Sequence, residues 1–210
     1  MSSYGIFENK EKTKKLVFYP CPKNANSSAK LFFARHLDID QNFTFIGDEI
    51  PRFLQKKNDF KNKKNIVNFL PTKQPFIEVD VDVKCCITRD PIKRFISAYK
   101  NRILYHKDEH FGDHSVDMII DKLEDNEFEN KHFLPQTYFL GKDLNYYDFY
   151  ADISNIKLFE ENVNNFFNKK VTFPKLQTGG KQFDLELTNS QTKKIKNIYI
   201  NDFNFMNTNN

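Results

Sequence analysis

The chain has 210 residues, a formal net charge of +4 and a mean hydropathy of −0.67, the size of one domain, with 23 Phe available to build its core. That charge is far below a nucleic-acid-binding signature, no apolar run is long enough to cross a membrane, and three Cys cannot form a disulfide framework. Residues 1–14 read as a mobile polar tail, 15–205 as the folded domain and 206–210 as a frayed end. Leu16 to Tyr19 reads as a short strand, Pro20 to Ser28 as a loop of small residues, and Ala29 to Leu37 as a helix. Residues 38–82 contain two candidate strands, Phe43 to Ile46 and Phe76 to Val81. Val83 to Thr88 is an apolar, partly β-branched run and reads as a buried strand. Asp90 is suited to cap a helix and Pro91 to begin it, and Ile92, Phe95, Ile96, Tyr99 and Ile103 form an apolar stripe at helical spacing. Residues 105–114 are a polar loop, and Val116, Ile119, Ile120 and Leu123 mark the next helix. Ile156 to Phe159 reads as a strand, and Phe159, Val163, Phe166 and Phe167 as the buried face of a helix. Thr178 to Lys181 is a glycine turn, and Thr188 with Gln191 makes a capping box for the last helix.

The scarce arginines are the sharpest signal. Only five of the 32 basic side chains are Arg, and Arg89, Arg94 and Arg102 fall together. A guanidinium presents a planar fork that grips an oxyanion at two points, where an ammonium is a point charge. Arg89 stands at a strand-to-helix junction, where free N–H groups and the helix dipole favour an anion, and Ser97 follows two turns into that helix. Taken alone, Arg94 and Arg102 read as surface residues of an amphipathic helix. A second such junction follows Tyr19, with Lys23 in the loop and hydroxyls at the helix start. It lacks the G-x-x-x-x-G-K-[ST] spacing and contains no Gly, so Asn24 and Asn26 are the residues expected to take positive φ. The same stretch also reads as a plain turn closed by a Ser cap.

Pro22-Lys23-Asn24-Ala25-Asn26-Ser27-Ser28 resembles the P-K-x-x-x-[ST]-[ST] loop of sulfotransferases that use 3′-phosphoadenosine 5′-phosphosulfate (PAPS). Arg89-Asp90-Pro91 with Arg94, Ser97 and Tyr99 resembles their R-[DE]-P-x-x-R-x-x-S-x-[YF] element, closest to the carbohydrate and membrane-type branch. His132-Phe133-Leu134-Pro135-Gln136 is similar to an H-x-x-P-Q segment of that branch, and Tyr199 to Phe205 to its closing Y-x-x-D-F helix. The resemblance implies an α/β, P-loop-like three-layer fold, with a central, mostly parallel sheet flanked by helices. It implies PAPS as sulfate donor, no metal, and a small-molecule or glycan hydroxyl as acceptor. Lys23, Asn24, Ala25, Asn26, Ser27 and Ser28 are then expected to hold the 5′-phosphosulfate, with Lys23 also steadying the leaving group. Arg89 and Ser97 are expected to bind the 3′-phosphate, and Lys181 to reach the nucleotide from a late loop.

A general base must take the proton of the acceptor hydroxyl. Many relatives place a His between the two anion elements, but this chain has no His between His36 and His106. His132 and Glu49 are the candidates. A loop His bonded to backbone and a solvated helix-start acid are the plainer readings of the same two residues. His106, His110 and His114 stand among Asp108, Glu109 and Asp113, but their spacing matches no common metal site. The adjacent Cys85 and Cys86 suggest packing in a reducing, cytoplasmic setting, without a signal peptide or membrane anchor. Two other functions use the same anion loops: a P-loop-type kinase, disfavoured by the missing Walker pair, and a nucleotide-binding module without catalysis.

Overall fold

Leu16 and Phe18 turn to one face of strand β2 (Lys15–Tyr19), Val17 and Tyr19 turn to the other, and all four are buried. A strand covered on both sides belongs inside a sheet with helices on each face. The computed structural model describes residues 2–38, 66–72, 76–107, 114–125, 130–176 and 183–207. In it β2 lies at the middle of a five-stranded sheet with β1 (Ser2–Glu8), β3 (Ile66–Thr72), β4 (Val83–Thr88) and β5 (Phe149–Asp152), in the order β3-β1-β2-β4-β5. Strands β2, β4 and β5 are parallel neighbours, and β1 runs antiparallel to both β2 and β3. All strands but β1 therefore point the same way, so the sheet is mostly parallel in direction. Pro71 sits in β3, at the sheet edge, where a missing N–H is tolerated.

Helix α1 (Asn26–His36) and helix α5 (Lys157–Phe167) cover one face of the sheet. Their Ala29, Phe32, Phe33, Phe159, Val163 and Phe167 pack on Phe18, Cys85 and Ile87. The short α4 (Gln136–Leu140) and α7 (Ile200–Asn207) contribute Phe139, Leu140 and Phe205 to the other face, against Val17, Tyr19 and Cys86. Helices α2 (Pro91–Tyr99), α3 (Val116–Glu124) and α6 (Asn189–Ile198) share a third cluster, built from Phe95, Ile119, Ile120, Ile195 and Tyr199. Asp90 caps α2 by accepting the Lys93 N–H, and Thr188 with Gln191 forms the capping box of α6. Past Tyr99 the helix widens into a π-helical segment, Lys100–Tyr105, which carries Arg102.

Three expectations are corrected. Residues 2–8, read as part of a mobile tail, form β1 and fill the gap between β2 and β3. Residues 76–81 join no strand ladder among the described residues; Tyr19, Tyr138 and Tyr146 hold them by hydrogen bonds to Phe76, Ile77 and Val79. The apolar run at Ile156 begins helix α5, and the strand preceding it is Phe149–Asp152. The candidate strand Phe43 to Ile46 and the turn Thr178 to Lys181 lie outside the described residues.

Candidate active site

Strands β2 and β4 are parallel neighbours with Tyr19 opposite Cys86, so the loops after them leave the same end of the sheet side by side. Such a position is where open α/β sheets bind ligands. The two loops touch. Arg89 Nη1 donates to the Lys23 carbonyl at 2.8 Å, and Arg94 Nε donates to the Pro22 carbonyl at 3.0 Å. Arg94 is only 1% exposed, which corrects the surface reading of that residue: its guanidinium lies beneath the loop and its aliphatic stem inside the protein. Asn24 is equally buried, and its amide donates to the Ile87 carbonyl at 2.8 Å and to Gln136 Oε1 at 2.6 Å.

The loop makes its turn without glycine. Positive φ falls on Lys23 (70°) and Ala25 (55°), not on Asn24 or Asn26. Left-handed backbone costs a side-chain-bearing residue roughly 1–2 kcal/mol. Four side-chain donations, from Arg89, Arg94 and twice from Asn24, hold the loop in that shape. Ala25 in the left-handed region followed by helical Asn26 is the alternation that makes an anion-binding concavity. Among the described residues no acceptor meets the N–H groups of Asn26, Ser27 and Ser28 in the first turn of α1. Arg89 Nε, Arg94 Nη2 and Asn26 Oδ1 are buried there without partners. Ser28 Oγ accepts the Leu176 N–H at 3.1 Å, tying the start of the late loop to α1.

Burial and neighbouring cations both register on Lys23. Burial, then Arg89, Arg102 and Arg94, push its ammonium down to about 8. Burial and Arg94 also lower Arg89. His132 joins the same group of charges. Burial, then Arg102, Lys23, Lys131 and Arg94, hold its imidazole down to about 3. Its Nδ1 is shut in without a partner, and Nε2 is not. The turn that carries His132 is fixed from the far end of the chain, because the Tyr199 hydroxyl donates to the Phe133 carbonyl at 2.6 Å. The buried Asp202 carboxylate accepts the Gln136 and Thr137 N–H groups at 2.7 and 2.9 Å, capping α4 from α7. Burial raises Asp202.

The structure thus brings together Lys23, Asn24, Ala25, Asn26, Ser27, Ser28, Arg89 and His132. Ser97 lies half-buried on α2, two turns beyond Arg89. Glu49 and Lys181 lie outside the described residues, as do His110 and the acids around it. His114 Nε2 lies 2.9 Å from Lys122 Nζ, and among the described residues no group of three His, Cys, Asp or Glu is placed to hold a metal ion. Arg94, Gln136 and Asp202 were not expected in the site. Gln136 and Asp202 stood in the H-x-x-P-Q and Y-x-x-D-F segments, which carried the only sequence trace of their role.

Two anion-ready loops thus meet at the C-terminal end of a mostly parallel α/β sheet. A family model described as the sulfotransferase family matches residues 9–207, and the chain belongs to that family. It is a transferase of the sulfuryl-transfer class. No curated protein and no solved structure gives a significant match. Among the described residues no helix is long and apolar enough to cross a membrane.

Proposed function

We propose that the protein moves a sulfuryl group from PAPS to a hydroxyl of a carbohydrate-like acceptor by in-line transfer. The observation that carries this reading is the direct contact of the two loops through Arg89 and the Lys23 carbonyl. It sets an Arg fork beside a concavity of free N–H groups. The fit to a nucleotide with anionic groups at both ends is supported by the unpartnered Arg89 Nε and by Lys23, whose ammonium is lowered by burial and then by Arg89, Arg102 and Arg94.

PAPS, when bound, supplies the activated sulfate. The chain's part is alignment and charge stabilisation. The Asn26, Ser27 and Ser28 N–H groups offer donors to the phosphosulfate end. Lys23 places positive charge where negative charge develops on the leaving oxygen. Arg89 and Ser97 take the 3′-phosphate, and Lys181 is assigned to the nucleotide from the sequence resemblance alone. His132 is neutral at physiological pH and takes the acceptor's proton at Nε2. Its low basicity belongs to a cation-rich surrounding, and a bound anion raises it.

Calorimetry with adenosine 3′,5′-bisphosphate against ATP tests the donor, and labelled sulfate transfer to mixed glycans tests the acceptor class. Tight bisphosphate binding with weak ATP binding is the expected result; the reverse overturns PAPS as the donor and favours a kinase-type reading of the loops. Arg89→Ala is expected to weaken the bisphosphate by roughly 2–4 kcal/mol, the range for losing one partner of a buried charged pair. At saturating donor, His132→Gln is expected to lower kcat by about 10²–10⁴-fold with nucleotide affinity kept. If His132→Gln leaves turnover intact while Glu49→Gln removes it, the base is Glu49.

A further inference from the structure

Gln136 is fully buried, and its side chain reaches both anion loops. Its Oε1 accepts from Asn24 Nδ2 at 2.6 Å and from the Arg89 N–H at 3.0 Å. Its Nε2 donates to the Arg89 carbonyl at 2.7 Å and faces Met206 Sδ at 3.8 Å. The hydrogen-bonding capacity of the amide is thereby filled, and the orientation of its O and N is fixed by two N–H donors on one side and a carbonyl on the other. It pairs with the Arg89 peptide as a neighbouring strand would, and it holds the Lys23 loop through Asn24. Its own backbone N–H is anchored on Asp202.

A second link between the loops runs from the Arg89 guanidinium to the Lys23 carbonyl. That link uses the fork that must serve a bound phosphate. The Gln136 link uses only the Arg89 backbone, so it persists when the fork is occupied. We propose that Gln136 is a positioning residue that couples the two anion loops, so that a nucleotide with phosphates at both ends binds more tightly than either half alone. This rests on the reading of the site as a PAPS site. Two linked contacts reinforce each other only while the geometry lets both engage at once. A buried, fully satisfied amide sets that geometry more sharply than a pair of flexible surface contacts would.

The test is calorimetry on the full chain with three probes: adenosine 3′,5′-bisphosphate, adenosine 5′-monophosphate and adenosine 3′-monophosphate. In the parent protein the bisphosphate is expected to bind more tightly than either monophosphate. In Gln136→Ala the bisphosphate is expected to weaken about 10-fold, the effect of one net buried hydrogen bond or more, while each monophosphate stays within about 2-fold. A role in folding alone lowers all three together. Equal losses for the three probes, or no loss for the bisphosphate, overturn the proposal. Gln136→Met keeps the volume of the side chain, removes the amide's hydrogen bonds to both loops and is expected to act selectively in the same direction. If Gln136→Ala does not fold, this variant decides by the same criterion. A parent that binds the bisphosphate no better than the monophosphates overturns the nucleotide reading itself, before any variant is measured.

Discussion

Lys23 is held charged in a place that resists charge. It is half-buried, and burial and then the charges of Arg89, Arg102 and Arg94 lower its pKa to about 8. A bound oxyanion reverses the sign of that field and raises the pKa again. Nucleotide binding is therefore expected to take up a proton near pH 8, because the free protein has partly lost the proton that the complex holds. Affinity then falls as pH rises through 8, by at most about 10-fold per pH unit. Calorimetry of the bisphosphate at pH 8.5, in two buffers of different ionisation enthalpy, reads the uptake directly. Lys23→Ala is expected to abolish both the uptake and the pH dependence, along with transfer. A parent protein that binds without uptake would mean that Lys23 keeps its full charge in the free site.

The element that most changes the picture is β1. Phe7 stacks on Phe33 of α1 at 4.3 Å between ring centroids and meets Phe167 of α5 edge-on at 6.3 Å. Gly5, two residues earlier on the same face, makes room for that ring; a Cβ there would lie 2.5 Å from Phe7 Cζ. Phe7→Ala is expected to cost about 3–5 kcal/mol in urea unfolding, the range for emptying a buried Phe site. A loss below about 1 kcal/mol would show that β1 is not integral to the fold. In sequence this strand is hidden by Ser2, Ser3 and Gly5, because a glycine whose role is to sit beneath an aromatic ring leaves no apolar alternation to read. Strands β2 and β4 were legible because burial on both faces makes them continuous apolar runs. Helices α2, α3 and α6 were legible from caps and stripes. Strand β5 has only four residues, and the apolar start of α5 passed for a strand because short apolar runs do not reveal their period. At the site, Lys23 and Arg89 were legible as residue types at junctions. Arg94 was not, since spacing on a helix does not tell a guanidinium beneath a loop from one in water. The left-handed φ of Lys23 and Ala25 escaped for a related reason: the asparagine better suited to it has its amide committed to Ile87 and Gln136.

Across the whole molecule, the site is assembled from stretches far apart in sequence, with the Lys23 loop, Arg89, Gln136 and Asp202 joined in one buried to half-buried chain of hydrogen bonds. The global stability of the protein is accordingly expected to respond to protons at two histidines, the buried His36 and the half-buried His132. His36 lies in the last turn of α1, stacked on Phe167 at 4.7 Å and edge-on to Phe32 at 4.7 Å. A helix C-terminus favours a protonated His, but here burial and then Lys169 outweigh the dipole and lower the pKa to about 4. His132 is lowered further, to about 3. Both folded-state values lie below the ordinary His value of about 6.5, so the unfolded chain binds protons that the folded chain refuses. Stability is therefore full above pH 6.5 and declines as the pH falls from there toward 4, where the His36 contribution ends and the His132 contribution continues to about 3. Melting curves across this range should show a shallower acid decline in His36→Phe than in the parent. The bisphosphate should flatten the part that belongs to His132, because an anion in the cationic site raises that pKa, and should leave the His36 part in place. Equal acid declines for the parent and His36→Phe would show that His36 takes up its proton without unfolding the aromatic cluster around it.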